Sequence, residues 1–153
     1  METESQFFTP HKLSGERDYP DIGIEAEMIY GLLLRADAMM TKTDRIRYND
    51  RAIVLIQDIM SAFVMAYDFP EDRLFYLKQL WSKITIFIRL MRRMGEANVI
   101  RIPAQHESMS PNTLKIELMN HLGRMDEGAT RWKASISNKG TRTRSSGESP
   151  KGQ

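Results

Sequence analysis

Residues 72–94 read DRLFYLKQLWSKITIFIRLMRRM, and the periodicity of this stretch decides the fold class. At about 100° per residue, Leu77, Leu80, Trp81, Ile84, Phe87, Ile88, Met91 and Met94 fall on one arc, while Lys78, Ser82, Thr85, Arg89 and Arg92 line the opposite side. The pattern predicts an amphipathic helix roughly 35 Å long at ~1.5 Å per residue, with Leu77, Trp81, Ile84, Ile88 and Met91 in the core. Phe75, Ile86 and Leu90 widen the apolar arc beyond the stripe that a single core requires. A second buried contact, with another subunit, is the expectation.

Outward from this stretch, the chain punctuates itself as further helices. Asp68-Phe69-Pro70-Glu71-Asp72 places proline and two carboxylates at a helix start, and so short a link predicts that the helices on either side are antiparallel neighbours. Before it, residues 46–67 carry Ile53, Ile56, Met60, Phe63 and Tyr67 on one face. AIVLI and AFVM are locally strand-like, but more than twenty residues without a turn signal favour a helix. Thr41 to Asp44 reads as a polar break, and residues 24–40 as the first helix, with Glu25 and Glu27 near its positive end.

After residue 94, Gly95 is expected to close the helix in the left-handed conformation, with Arg92 and Arg93 in a last turn that suits cations. Residues 96–109 form a loop whose Val99, Ile100 and Ile102 are expected over the bundle end. Ser110-Pro111 then opens a fourth helix with a favoured cap. Its seam is Leu114, Leu118, Leu122, Met125, Ala129, Trp132 and Ile136, at spacings of three and four. Gly123 and Gly128 are candidates for close helix approach.

These elements predict an all-α, antiparallel four-helix bundle over residues 23–138, between an acidic flexible extension at 1–22 and a disordered basic tail at 139–153. Phe7 and Phe8 in the extension read either as a staple on the bundle end or as an exposed couple, and no site is assigned there. The extension is polar and acidic, and no run of eighteen uncharged apolar residues occurs. A cytoplasmic protein without a membrane partner is therefore expected. The chain has no cysteine, which excludes disulfides, thiol nucleophiles and thiolate metal sites.

The formal charge of +2 conceals an asymmetry: residues 1–27 hold seven acids and two bases, and the remainder thirteen acids and twenty bases. From Arg131 onward six bases face one acid, so an anionic partner is favoured, nucleic acid first and an acidic protein surface second. The candidate binding residues are Lys78, Arg89, Arg92 and Arg93 on one helix, with Arg131, Lys133, Lys139, Arg142 and Arg144 as a mobile clamp. Arg45, Arg47 and Arg51 add cations at the start of the second helix. A solvated polar face explains the same residues without a partner.

Catalytic chemistry finds little material. Glu117 and His121 stand one turn apart, but a di-iron bundle needs repeated inward carboxylates, and the inward positions are aliphatic; no cofactor or metal is expected. Arg101 and His106 have a spacing used by some helical ribonucleases, yet Pro103 interrupts the helix such a site needs.

The order of features resembles a known family. An apolar helix ends near Tyr67, a second finishes ITIFIRLMRRM, a loop leads to MSPNTLKIELMNHLGRM, and a Trp in TRWKASISNKG precedes a basic end. Over roughly residues 27–140 this is similar to the accessory variability determinant proteins of diversity-generating retroelements and, more distantly, to four-helix proteins encoded in intervening sequences of bacterial 23S rRNA genes. The resemblance implies a non-enzymatic homopentameric barrel that binds the retroelement's reverse transcriptase and template RNA to support mutagenic complementary-DNA synthesis. It places Arg89 where the family carries an Arg, and Lys139-Gly140 at a basic terminus. An oligomeric adaptor that binds only protein, and a bundle ribonuclease, are the rival expectations.

Overall fold

A computed structural model describes the backbone of residues 21–148 and the side chains of residues 21–136. Phe7, Phe8 and the rest of the extension up to residue 20 lie outside the described residues. The fold is all-helical: α1 (Ile22–Ala36), α2 (Lys42–Asp68), α3 (Arg73–Glu96) and α4 (Pro111–Glu148), with short 3-10 turns at Asp37–Met39 and Pro70–Asp72. No strand occurs among the described residues.

α1 begins two residues earlier than its apolar pattern suggests, because the Asp21 carboxylate accepts hydrogen bonds from the Gly23 and Ile24 N–H groups at 2.9 and 3.2 Å. Gly23 is needed for packing: a Cβ there would stand 2.8 Å from Phe63 Cε2. The polar Thr41–Asp44 segment is the start of α2 rather than a gap, since Thr41 Oγ1 accepts from the Asp44 N–H at 3.1 Å. One turn later, at Arg45–Asn49, α2 widens into a π segment. An inserted residue rotates the helix face by about 100°, so Ile46 is left 63% exposed while Asn49 is fully buried.

The buried Asn49 amide holds this distortion in place. Its Nδ2 donates to the Leu33 carbonyl and to Asp37 Oδ1, both at 3.0 Å, tying α2 to the C-terminal end of α1. Asn49→Ala is expected to cost about 1–3 kcal/mol by stranding those acceptors, measured as a fall in the urea midpoint.

α1 packs between α2 and α4, α2 packs along α3, and α3 touches α4 only lightly. The link after Asp68 turns the chain through 114°. This falls short of the near-180° reversal of the antiparallel pair expected from the short loop, and α2 and α3 cross steeply. Inserting the Pro70–Asp72 turn before α3 adds a rigid step that a plain two-residue reversal lacks. Leu77, Leu80, Ile84, Phe87, Leu90, Met91 and Met94 form the buried face of α3, whereas the expected core residues Trp81 and Ile88 are half-buried at its edge. The arc was too wide for its centre to be read from period alone.

α3 does not end at Gly95. It continues to Glu96, and Asn98 takes the left-handed conformation at φ 50°. The Asn98 N–H donates to the Gly95 carbonyl, the Val99 N–H donates to the Met94 carbonyl, and Val99 and Met94 are both buried, the bonds and apolar contact of a Schellman ending. Asparagine tolerates this conformation better than most residues, so it replaces the expected glycine. The following loop lies over the bundle through two of the three expected residues: Val99 and Ile100 are buried and Ile102 is exposed, while the N–H groups of Arg101 and Ile102 both donate to the Met39 carbonyl.

Ser110 Oγ accepts from the Thr113 N–H at 3.1 Å and starts α4 where the sequence marks it. Leu114, Leu118, Leu122, Met125, Ala129 and Trp132 are all buried. Gly128 is buried, but Gly123 faces open space and mediates no close approach. The helical backbone also runs past the tail boundary at Asn138 to Glu148. A helix already nucleated propagates by one backbone hydrogen bond per residue, even through sequence of poor propensity.

Candidate functional site

The exposed side of α3 carries the candidate site. Lys78, Ser82, Thr85 and Arg89 follow at steps of four, three and four, and Arg92 and Arg93 complete the row. All six are exposed on the face opposite Leu77, Leu80 and Phe87. The row spans about 22 Å at ~1.5 Å per residue. Thr85 Oγ1 donates back to the Trp81 carbonyl at 2.9 Å and leaves the cations as the outward-reaching groups.

The four cations differ in what they touch from six of the other twelve described Lys and Arg residues. Arg35 pairs with Glu107 at 2.7 Å, Arg45 with Asp37 at 3.7 Å, Arg124 with Glu25 at 3.5 Å, and Arg131 with Glu127 at 2.7 Å. Arg73 donates to the carbonyls of Ala66 and Tyr67, and Lys115 to Asn98. By contrast, Lys78, Arg89, Arg92 and Arg93 have no ion pair or hydrogen bond among the described residues. Arg89 stands one turn from both Arg92 and Arg93, and like charges at that spacing repel by about 0.2–0.5 kcal/mol per pair. An anion laid along the row removes that repulsion.

The second set is built differently from the mobile clamp expected. Arg131 and Lys133 sit on the packed part of α4, Arg131 in the ion pair above and Lys133 with Nζ 5.1 Å from the centre of the Trp81 ring. Such a cation–π contact contributes about 0.5–1 kcal/mol at an exposed site and holds Lys133 toward α3. The side chains of Lys139, Arg142 and Arg144 lie outside the described residues. Arg47 and Arg51 are exposed at the start of α2.

The structure also shows a buried polar cluster that the charge pattern concealed. Glu25 is 5% exposed and lies on the apolar face of α1 with Ile22, Ala26 and Ile29. His121 of α4 places Nδ1 2.6 Å from Glu25 Oε1, and Arg124 covers the other carboxylate oxygen. With the carboxylate ionised, Nδ1 carries the proton of this bond. His121 is thus engaged across helices rather than with Glu117, and no group of three or more His, Asp or Glu residues suited to a metal occurs among the described residues.

Arg101 and His106 are both exposed in the loop before α4, and no hydrogen bond joins them among the described residues. Among the described residues no single helix is long and apolar enough to cross a membrane. Comparison with protein-family models, with curated proteins and with solved structures finds no match to this chain.

Proposed function

We propose that this protein is a non-enzymatic accessory subunit that binds a reverse transcriptase and its template RNA, as in the diversity-generating retroelements its sequence resembles, with the exposed row on α3 as the phosphate contact. The observation that carries the phosphate contact is alignment: among the described residues the fold matches Arg35, Arg45, Arg124 and Arg131 to carboxylates, leaves Lys42, Arg47, Arg51, Lys83 and Arg101 unmatched off the row, and sets the unmatched Lys78, Arg89, Arg92 and Arg93 in a single row on one helix. Long cations on a rigid helix track a phosphate backbone without base-specific geometry. Arg131, Lys133, Lys139, Arg142 and Arg144 form a second cationic group on α4, and their role is neutralisation and positioning.

Self-association belongs to the same proposal, with a homopentamer as the state the resemblance implies. Val54 and Val64 on α2 are 54% and 47% exposed, apolar surface suited to contact between copies and away from the α3 row.

Reversing two charges tests the contact. Arg89→Glu combined with Arg92→Glu is expected to weaken binding to RNA at least tenfold and to flatten its salt dependence, with the solution mass unchanged. Unaltered affinity would remove α3 from the interface. Salt-independent binding to a protein partner alone would favour the adaptor.

A further inference from the structure

The head of the cationic row carries an aromatic group that charge neutralisation does not use. Phe75 is 59% exposed, the most exposed aromatic ring among the described residues. At about 100° per residue it stands in line with Arg93 and about 60° from Lys78, on the same face of α3. Its ring is held edge-on against Tyr76, with centroids 5.2 Å apart and planes at 77°. Tyr76 packs on the core and also meets Phe69, itself 40% exposed, at 5.9 Å. Phe75 is therefore braced by a neighbouring ring while standing in solvent.

We propose that Phe75 is a stacking platform for an unpaired base, and that the ligand of this face is single-stranded nucleic acid whose phosphates run from Lys78 toward Arg93. The inference rests on the phosphate contact proposed above and adds the strand class. A duplex keeps its base faces inside the stack and does not offer them to an aromatic ring on a helix surface, whereas a single strand does. The local charges agree. Glu71 and Asp72 precede the row and Glu96 follows it, so phosphates are favoured only between them. Arg73, the cation nearest Phe75 on the N-terminal side, is turned to the carbonyls of Ala66 and Tyr67. A neutral base, rather than a phosphate, suits the Phe75 end.

The test uses the full chain, fluorescence anisotropy at low salt, and two labelled probes: a short oligoadenylate and an abasic strand of the same length. The wild-type protein is expected to bind oligoadenylate roughly tenfold more tightly than the abasic strand. Phe75→Ala should erase that preference and leave abasic affinity unchanged, and Phe75→Trp should keep it. Phe75 is exposed, so circular dichroism of both variants should match wild type. A preference that survives Phe75→Ala overturns the platform while leaving the charge contact standing. Equal loss on both probes with a changed solution mass also overturns it, making Phe75 a contact between copies. If neither probe binds the wild-type protein, the phosphate contact itself fails.

Discussion

Trp132→Ala is expected to destabilise the protein by about 3–5 kcal/mol, the usual cost of removing a large buried ring. Trp132 is 3% exposed and joins α4 to α2: its ring lies 5.9 Å from Phe63 and 5.8 Å from Tyr67, and Phe63 in turn fills the space beside Gly23. Losing the indole opens a cavity among rings that cannot collapse together without moving the start of α1. Trp132→Phe should cost far less. It keeps most of the apolar contact and removes a buried Nε1 that has no hydrogen-bond partner. Urea unfolding of the three proteins checks the order, and equal midpoints for Trp132→Ala and wild type would mean that α4 does not dock as described.

The second large effect is at the cluster between α1 and α4. His121→Ala is expected to cost about 2–3 kcal/mol, because it leaves the Glu25 carboxylate buried with only Arg124, which is 63% exposed, at 3.5 Å. Breaking a fully buried pair costs about 3–5 kcal/mol, and solvent near His121 and Arg124 lowers the figure here. Replacing both partners, Glu25→Leu with His121→Leu, should recover most of the loss, since no uncompensated charge then remains. A double variant as unstable as the single one would contradict this origin of the cost, and chemical denaturation of the four proteins decides it.

Helix types and the core of α4 were legible from period and caps alone. Leu114, Leu118, Leu122, Met125, Ala129 and Trp132 are buried as their spacing demands, and Ser110 caps where the sequence says. The boundaries and rotations that were missed share a cause: tertiary partners and local backbone choices outweighed the intrinsic signal. The π segment at Arg45–Asn49 reset the phase of α2, exposing Ile46 and burying Asn49. Asn98 rather than Gly95 closed α3, because an asparagine followed by a buried valine completes the same bonds. Steepness of the α2–α3 crossing depends on side-chain ridges that no single-helix pattern encodes.

At the candidate site, the shared face of Lys78, Arg89, Arg92 and Arg93 followed from helical period and is present in the fold. Which cations are already paired was not legible, because Arg35 meets Glu107 and Arg124 meets Glu25 across long stretches of chain. Glu25 did leave a trace. Its spacing from Ile22 and Ile29 places it on the buried side of α1, a position where a carboxylate requires a partner. Helical period makes Phe75 an extension of the apolar arc, and only the structure shows it braced in solvent beside Tyr76.

The measurement closest to the central claim is the affinity of the wild-type protein for single-stranded RNA across a salt series. If Lys78, Arg89, Arg92 and Arg93 each displace a counterion from a phosphate, log affinity should fall against log salt with a slope of about −3, at roughly 0.7 per contact. A flat line, or no binding at the lowest salt, would contradict a phosphate-binding role for the face.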